Sequence, residues 1–115
     1  MKVYGIKNCN TVKKALDWFT ANGVNYEFQD FKKIGVSEQK LEEWNEKVGY
    51  EKFLNKQGTT WKQLEPEVKE SVKGAEEAVP LMQQKTSMIK RPVIEDGDFL
   101  FFGFDEPTYK AHFKK

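Results

Sequence analysis

The chain contains 115 residues, of which 38% are hydrophobic and 32% are charged, and its formal net charge is +1. This length suits one domain with one core, which we expect to span residues 1–115. The balanced charge gives no support to a general nucleic-acid-binding role, and no apolar run is long enough to cross a membrane.

The chain has one cysteine, Cys9, and one histidine, His112. A single cysteine cannot form an internal disulfide, so we expect a cytoplasmic protein in a reducing compartment. Because the two residues are far apart in sequence, no metal site is predicted. Nothing in the composition requires an assembly larger than a monomer.

The first thirty residues predict a β–α–β unit. Residues 3–6 are short, apolar and β-prone, and residues 26–31 alternate like a second strand. Between them, apolar residues follow the i, i+3, i+4, i+7 spacing of an amphipathic helix, at Val12, Ala15, Leu16 and Phe19. A unit this compact implies a parallel strand pair with a right-handed crossover.

The middle of the chain reads as helical. Residues 32–36 have the character of a linker, Ser37 can cap a helix that Gly49 ends, and residues 75–84 predict another helix. Together these patterns indicate a helical insert over about residues 33–86.

The last part of the chain predicts a hairpin and a helix. Residues 89–94 lead into a predicted third strand, and the dipeptide at 96–97 is a strong hairpin signal before the fourth, predicted at 99–102. Asp105 can cap the final helix, on which we expect His112 to be solvent-exposed. The whole pattern predicts an α/β thioredoxin-like fold with a mixed four-stranded sheet and an inserted helical subdomain.

Cys9 falls in the loop between the first strand and the first helix. Unpaired N–H groups and the positive end of the helix dipole converge there and favour a thiolate, which is the reactive form. Lys7, Lys13 and Lys14 add positive charge nearby. We expect side-chain oxygens to cap the helix start, from Asn8, Asn10 and Thr11.

The alternative is that Cys9 is inert packing, because a free cysteine is commonly a buried, unreactive residue. Its polar neighbours favour a functional thiol instead. Val12 stands where a Cys-x-x-Cys motif would have its second cysteine. Redox chemistry in this chain must therefore combine one thiol with an external partner.

Three segments in a consistent order carry a resemblance to a known family: residues 4–15 around Cys9, residues 54–61, and residues 89–92. They resemble arsenate-reductase-like proteins of the ArsC/Spx family and are most similar to its YffB-type branch. That family contains both enzymes and non-enzymatic transcription regulators on one fold.

The resemblance implies that Cys9 is the nucleophile and that Arg91 lowers its pKa or holds an anionic group. It also implies a cis bond before Pro92, facing the cysteine loop. The cysteine loop would be shaped by Lys7, Asn8, Asn10 and Thr11. Lys56 and Gln57 would line the substrate cleft, unless the segment at 58–60 only forms a turn that caps the next helix; both alternatives stay open.

The arginine content argues against arsenate reduction. Arsenate reductases of this type hold the oxyanion with three arginines, whereas this chain has only Arg91. Lysine supplies charge but lacks the planar fork that grips an oxyanion through two atoms. The resemblance then implies a glutathione-dependent thiol–disulfide oxidoreductase with a single nucleophilic cysteine, no bound cofactor, and glutathione as co-substrate. The alternative is an Spx-like regulatory protein that binds RNA polymerase without enzymatic activity.

Overall fold

The computed structural model describes all 115 residues and contains four strands and seven α-helices. In chain order these are β1 (Lys2–Gly5), α1 (Asn10–Ala21), β2 (Glu27–Asp30), α2 (Phe31–Ile34), α3 (Glu38–Val48), α4 (Thr59–Lys62), α5 (Pro66–Ser71), α6 (Ala75–Gln84), β3 (Val93–Asp96), β4 (Phe99–Phe102) and α7 (Glu106–Phe113). They form two compact units: Met1–Ile34 with Arg91–Lys115, and Gly35–Lys90. No helix has the length and apolar character that a membrane span requires.

The first unit contains the whole sheet, whose strand order is β2-β1-β3-β4. β1 pairs parallel to β2, and β3 pairs antiparallel to both β1 and β4. The predicted mixed four-stranded sheet is therefore confirmed. Because Gly5 lies opposite Asp30, the loop that carries Cys9 leaves β1 beside the carboxyl end of β2.

An aromatic cluster fills the core of the first unit. The buried face of α1 presents Trp18 and Phe19, and α7 contributes Tyr109, which is fully buried. The rings of Phe19 and Tyr109 stack with their centroids 5.2 Å apart, and the Tyr109 hydroxyl donates a hydrogen bond of 2.6 Å to the carbonyl of Gly103. This packing fixes α1, and therefore the position of its first turn.

The second unit is helical, as the sequence predicts. The N–H of Lys40 donates to the Ser37 hydroxyl at 3.1 Å, which caps α3. Gly49, with a φ of 86°, ends that helix in a conformation that favours glycine. Leu41 and Trp44 on α3 are buried and belong to the core of this unit.

Residues 32–34 differ from the linker that the sequence predicts for 32–36, whereas Gly35 and Val36 lie outside any helix or strand, as predicted. The Asp30 carboxylate accepts the Lys32 N–H at 2.9 Å, and this contact begins the short helix α2 instead. Phe31, predicted in the second strand, starts that helix. Its ring is buried and packs against the ring of Tyr4 at a centroid distance of 6.0 Å.

His112 is also placed differently from the exposed position that the sequence predicts. Its side chain is 28% exposed, and its Nε2 lies 2.8 Å from a carboxylate oxygen of Asp96. The ring stacks on Phe99 at a centroid distance of 3.7 Å. The hairpin that brings Asp96 and Phe99 to α7 is a long-range feature that local periodicity does not describe.

Gly5 brings the end of β1 close to the first turn of α1. A Cβ on Gly5 would lie 2.8 Å from Cγ2 of Val12, whose branched side chain cannot easily rotate away. We expect Gly5→Ala to lower the free energy of unfolding by about 1–3 kcal/mol. Equilibrium denaturation measures this cost, and Val12→Ala provides the matched background because it removes that methyl group. A cost that is equally large in the Val12→Ala background would show that the contact is not responsible.

Candidate active site

Cys9 occupies the N-cap position of α1, with extended backbone angles of φ −103° and ψ 124°. Its carbonyl accepts the first helical hydrogen bond, from the Lys13 N–H at 3.0 Å. The side chain is half-buried, between the exposed Asn8 and Asn10. Cys9 is therefore partly exposed and stands at the amino end of the helix, as the sequence predicts.

Several effects act on the pKa of the Cys9 thiol. Partial burial raises it, while hydrogen bonds from the Val12 N–H, the Arg91 side chain and the Thr11 N–H lower it, as does the charge of Arg91. The net effect is a pKa below the ordinary value of a cysteine. The sulfur makes no regular capping hydrogen bond, so it is the combined field of these donors, rather than one ideal cap, that favours the thiolate.

Arg91 reaches Cys9 because of the strand register. Val93 lies opposite Tyr4 in the antiparallel pair of β3 and β1, so the residues just before β3 lie beside the loop that follows β1. The Arg91–Pro92 peptide bond is cis, which confirms the expectation for Pro92. Pro92 is buried, and its carbonyl accepts the Gly103 N–H at 2.8 Å.

The remaining residues predicted for the cysteine loop are exposed: Lys7, Asn8, Asn10 and Thr11. The prediction that asparagine and threonine oxygens cap α1 is wrong, because Cys9 itself holds the N-cap position and Asn10 and Thr11 lie in the first helical turn. Thr11 and Val12 act on the sulfur through their backbone N–H groups. Sequence reasoning assigned no such contact to Val12, which it used only as an apolar position of α1 and as the residue that replaces a second cysteine.

Lys56 and Gln57 belong to the second unit. They line a groove of about 300 Å³ together with Glu51, Leu54 and Lys90. The Lys56 ammonium lies 5.3 Å from the ring centroid of Trp61. The segment also forms a turn before α4, with Gly58 at the N-cap position. Their assignment to substrate binding stays a prediction.

This arrangement supports one kind of chemistry directly. A half-exposed thiol with a lowered pKa, next to a guanidinium, is a nucleophile whose negative charge is stabilised. The chain has no second thiol, so a disulfide formed by Cys9 must join it to another molecule. A second thiol from solution is needed to release that molecule.

Comparisons with known proteins give matches over nearly the whole chain. The model of the ArsC family matches residues 4–112. An uncharacterised protein of Haemophilus influenzae is 38% identical over 112 residues, which cover 96% of each chain. The solved structure of a protein named YFFB is 38% identical with a TM-score of 0.91 and 96% coverage of both chains. An arsenate reductase (ArsC) related protein of Brucella melitensis is 40% identical with a TM-score of 0.76, covering 99% of this chain and 94% of its own.

Proposed function

The chain belongs to the ArsC family, and on this basis we propose that it is a glutathione-dependent thiol–disulfide oxidoreductase with Cys9 as its single nucleophile. The observation that carries the proposal is the position of Cys9 at the N-cap of α1, where the Val12 N–H, the Arg91 side chain and the Thr11 N–H lower the pKa of its thiol. A residue with only a packing role needs no such donors.

The reaction has two exchange steps. The Cys9 thiolate attacks the glutathione sulfur of a mixed disulfide, forms a Cys9–glutathione disulfide and releases the other sulfur as a thiolate. A second glutathione thiolate then attacks the glutathione sulfur, which yields oxidised glutathione and restores the Cys9 thiolate. The substrate gains the two electrons that the glutathione pair loses, and no bound cofactor is needed.

Arg91 and the start of α1 act together at two stages of this scheme. Between turnovers the donors hold Cys9 as a thiolate. When Cys9 leaves as a thiolate in the second step, the same donors stabilise the charge that develops on its sulfur. Among the exposed loop residues, Lys7 is available for a glutathione carboxylate.

Arsenate is not the substrate that this proposal selects. Arg91 is the one arginine of the chain, and it already contacts the Cys9 sulfur. A tetrahedral oxyanion would depend on lysines for the rest of its binding, and these do not provide paired, coplanar donors.

A glutathione turnover assay tests the proposal. The substrate is a glutathione mixed disulfide of a small thiol, and the readout is oxidised glutathione. We expect its formation to increase in proportion to protein and to require glutathione, while arsenate in place of the disulfide gives no turnover. Formation no faster than in buffer alone would contradict the proposal and favour the regulatory alternative, in which Cys9 need not react.

A further inference from the structure

A groove lies beside the cysteine loop, and of its lining residues only Lys7 has a task in the exchange chemistry described above. It measures about 430 Å³ and is lined by Lys7, Phe28, Gln29, Asp30, Lys33 and Ile34. Its position follows from the register of β1 and β2, in which Gly5 is opposite Asp30. Lys7 continues from Gly5 towards Cys9, so a molecule in this Ile34 groove reaches the loop that carries the thiol.

The groove has an apolar part that the fold leaves uncovered. Ile34 is 62% exposed and is the one large hydrophobic residue that is exposed in the structure. It lies with the half-buried Phe28 in the same groove. A single exposed aliphatic residue is ordinary on a protein surface, but this one shares a concave surface with an aromatic ring, and a ligand covering both would remove apolar area from water.

The charges of the groove are complementary to an acidic ligand. Lys7 and Lys33 line it and are exposed. The one acidic side chain in the lining, Asp30, accepts the Lys32 N–H at 2.9 Å and is engaged in starting α2. The Gln29 amide donates to the Glu27 carboxylate at 2.7 Å. An acidic segment would therefore meet two lysines and one carboxylate, which already accepts a backbone hydrogen bond.

The adjoining strand suits an extended polypeptide. β2 is an edge strand, because the sheet order places β1 on one side of it and no strand on the other. Edge strands offer main-chain hydrogen-bonding groups to a segment that lies along them. Aliphatic side chains of such a segment would contact Phe28 and Ile34, and acidic ones would approach the lysines that line the same groove.

We propose that the Ile34 groove binds an extended acidic and aliphatic segment of a protein whose oxidised cysteine reacts with Cys9. This inference rests on the proposed function and adds its substrate class: a cysteine within such a segment, in mixed disulfide with a small thiol. In the reaction, the Cys9 thiolate attacks the sulfur of the small thiol and forms a disulfide with it. The S–S bond of the substrate breaks, and the cysteine of the segment leaves as a thiolate.

Matched peptides test the groove. Each has one cysteine, held as a mixed disulfide with glutathione, and the readout is the peptide thiol that is released. One peptide contains acidic and aliphatic residues, and the other has lysines in the acidic positions. The reference is the glutathione mixed disulfide of a small thiol. We expect the acidic peptide to react with Cys9 about tenfold faster than the basic one, with the difference shrinking at high salt.

Three variants test whether the Ile34 groove causes the difference in rate between the peptides. We expect Ile34→Ser to slow the acidic peptide about tenfold through lost apolar contact, and Lys33→Glu to slow it about fivefold through charge. Lys32→Glu, the same charge change on a residue outside the groove, should have little effect. None of the three should change the rate with the small disulfide, which reports on Cys9 alone.

Other outcomes would contradict this inference while leaving the proposed function unaffected. Equal rates for the two peptides, or equal losses in Lys32→Glu and Lys33→Glu, would show that the groove does not select the substrate. A concentration-dependent dimer that Ile34→Ser abolishes would assign the groove to a second copy of the chain. An unreactive small disulfide would instead contradict the proposed function itself.

Discussion

Replacing Cys9 by serine is expected to reduce thiol–disulfide exchange to the rate measured without protein. The proposed scheme passes every electron pair through the Cys9 sulfur, and no other thiol in the chain can replace it. A serine side chain has no sulfur and cannot form the mixed disulfide. The measurement is the production of oxidised glutathione from a small mixed disulfide.

The matched control is the stability of the same variant. Serine is among the preferred N-cap residues, and Cys9 stands at the N-cap of α1, so Cys9→Ser should keep the free energy of unfolding within about 1 kcal/mol of the wild type. A loss of activity can then be attributed to chemistry and not to unfolding. Turnover that survives in this variant would place the reaction elsewhere.

Tyr109→Ala is expected to be among the most destabilising substitutions in the chain. Tyr109 is fully buried, its ring contacts those of Trp18 and Phe19, and truncation would leave a cavity against α1. Large aromatic-to-alanine changes of this kind cost about 3–5 kcal/mol. Equilibrium denaturation measures the cost, and a value below about 1 kcal/mol would show that the aromatic cluster does not hold the unit together.

Tyr109→Phe separates the hydroxyl from the ring. The hydroxyl donates to the Gly103 carbonyl at 2.6 Å, and leaving that acceptor unpaired costs about 1–3 kcal/mol.

Burial, together with the Asp105 charge, raises the pKa of Tyr109 well above its ordinary value. The stability linked to this shift is complete below the pKa of tyrosine in the unfolded chain and declines as the pH rises above it. Wild-type stability should therefore fall at alkaline pH more steeply than that of Tyr109→Phe.

Sequence periodicity was sufficient for the elements that depend on local pattern. The apolar spacing from Val12 to Phe19 predicts α1, and α1 begins one residue after Cys9. Ser37 and Asp105 are typical N-cap residues, and both accept the expected hydrogen bonds, from Lys40 and Thr108 respectively. In each case the cause of the structure lies within four residues of the feature.

Features that depend on residues distant in sequence could not be predicted from local periodicity. The stacking of His112 on Phe99 joins residues from a hairpin and a helix. The short helix α2 depends on the Asp30 side chain in a segment whose lysines resemble a linker. The exposure of Ile34 beside Phe28 also depends on where β2 lies in the sheet.

The same distinction between local and long-range causes applies to the candidate site. The position of Cys9 at a helix start follows from local sequence, whereas the contact with Arg91 was implied only by the family resemblance. In the structure that contact follows from the register of β1 and β3, which is a property of the sheet. Backbone donors such as the Val12 N–H have no sequence signature, because any residue except proline supplies one.

The most direct test of the account is the rate of Cys9 alkylation as a function of pH, in the wild type and in Arg91→Ala. The thiolate is the reacting form, so the midpoint of the rate profile gives the pKa of Cys9. We expect a wild-type pKa below the ordinary value of a cysteine, and a higher pKa in Arg91→Ala because a hydrogen bond and a positive charge are lost. An ordinary or raised pKa that Arg91→Ala leaves unchanged would contradict the assignment of Cys9 as an activated nucleophile.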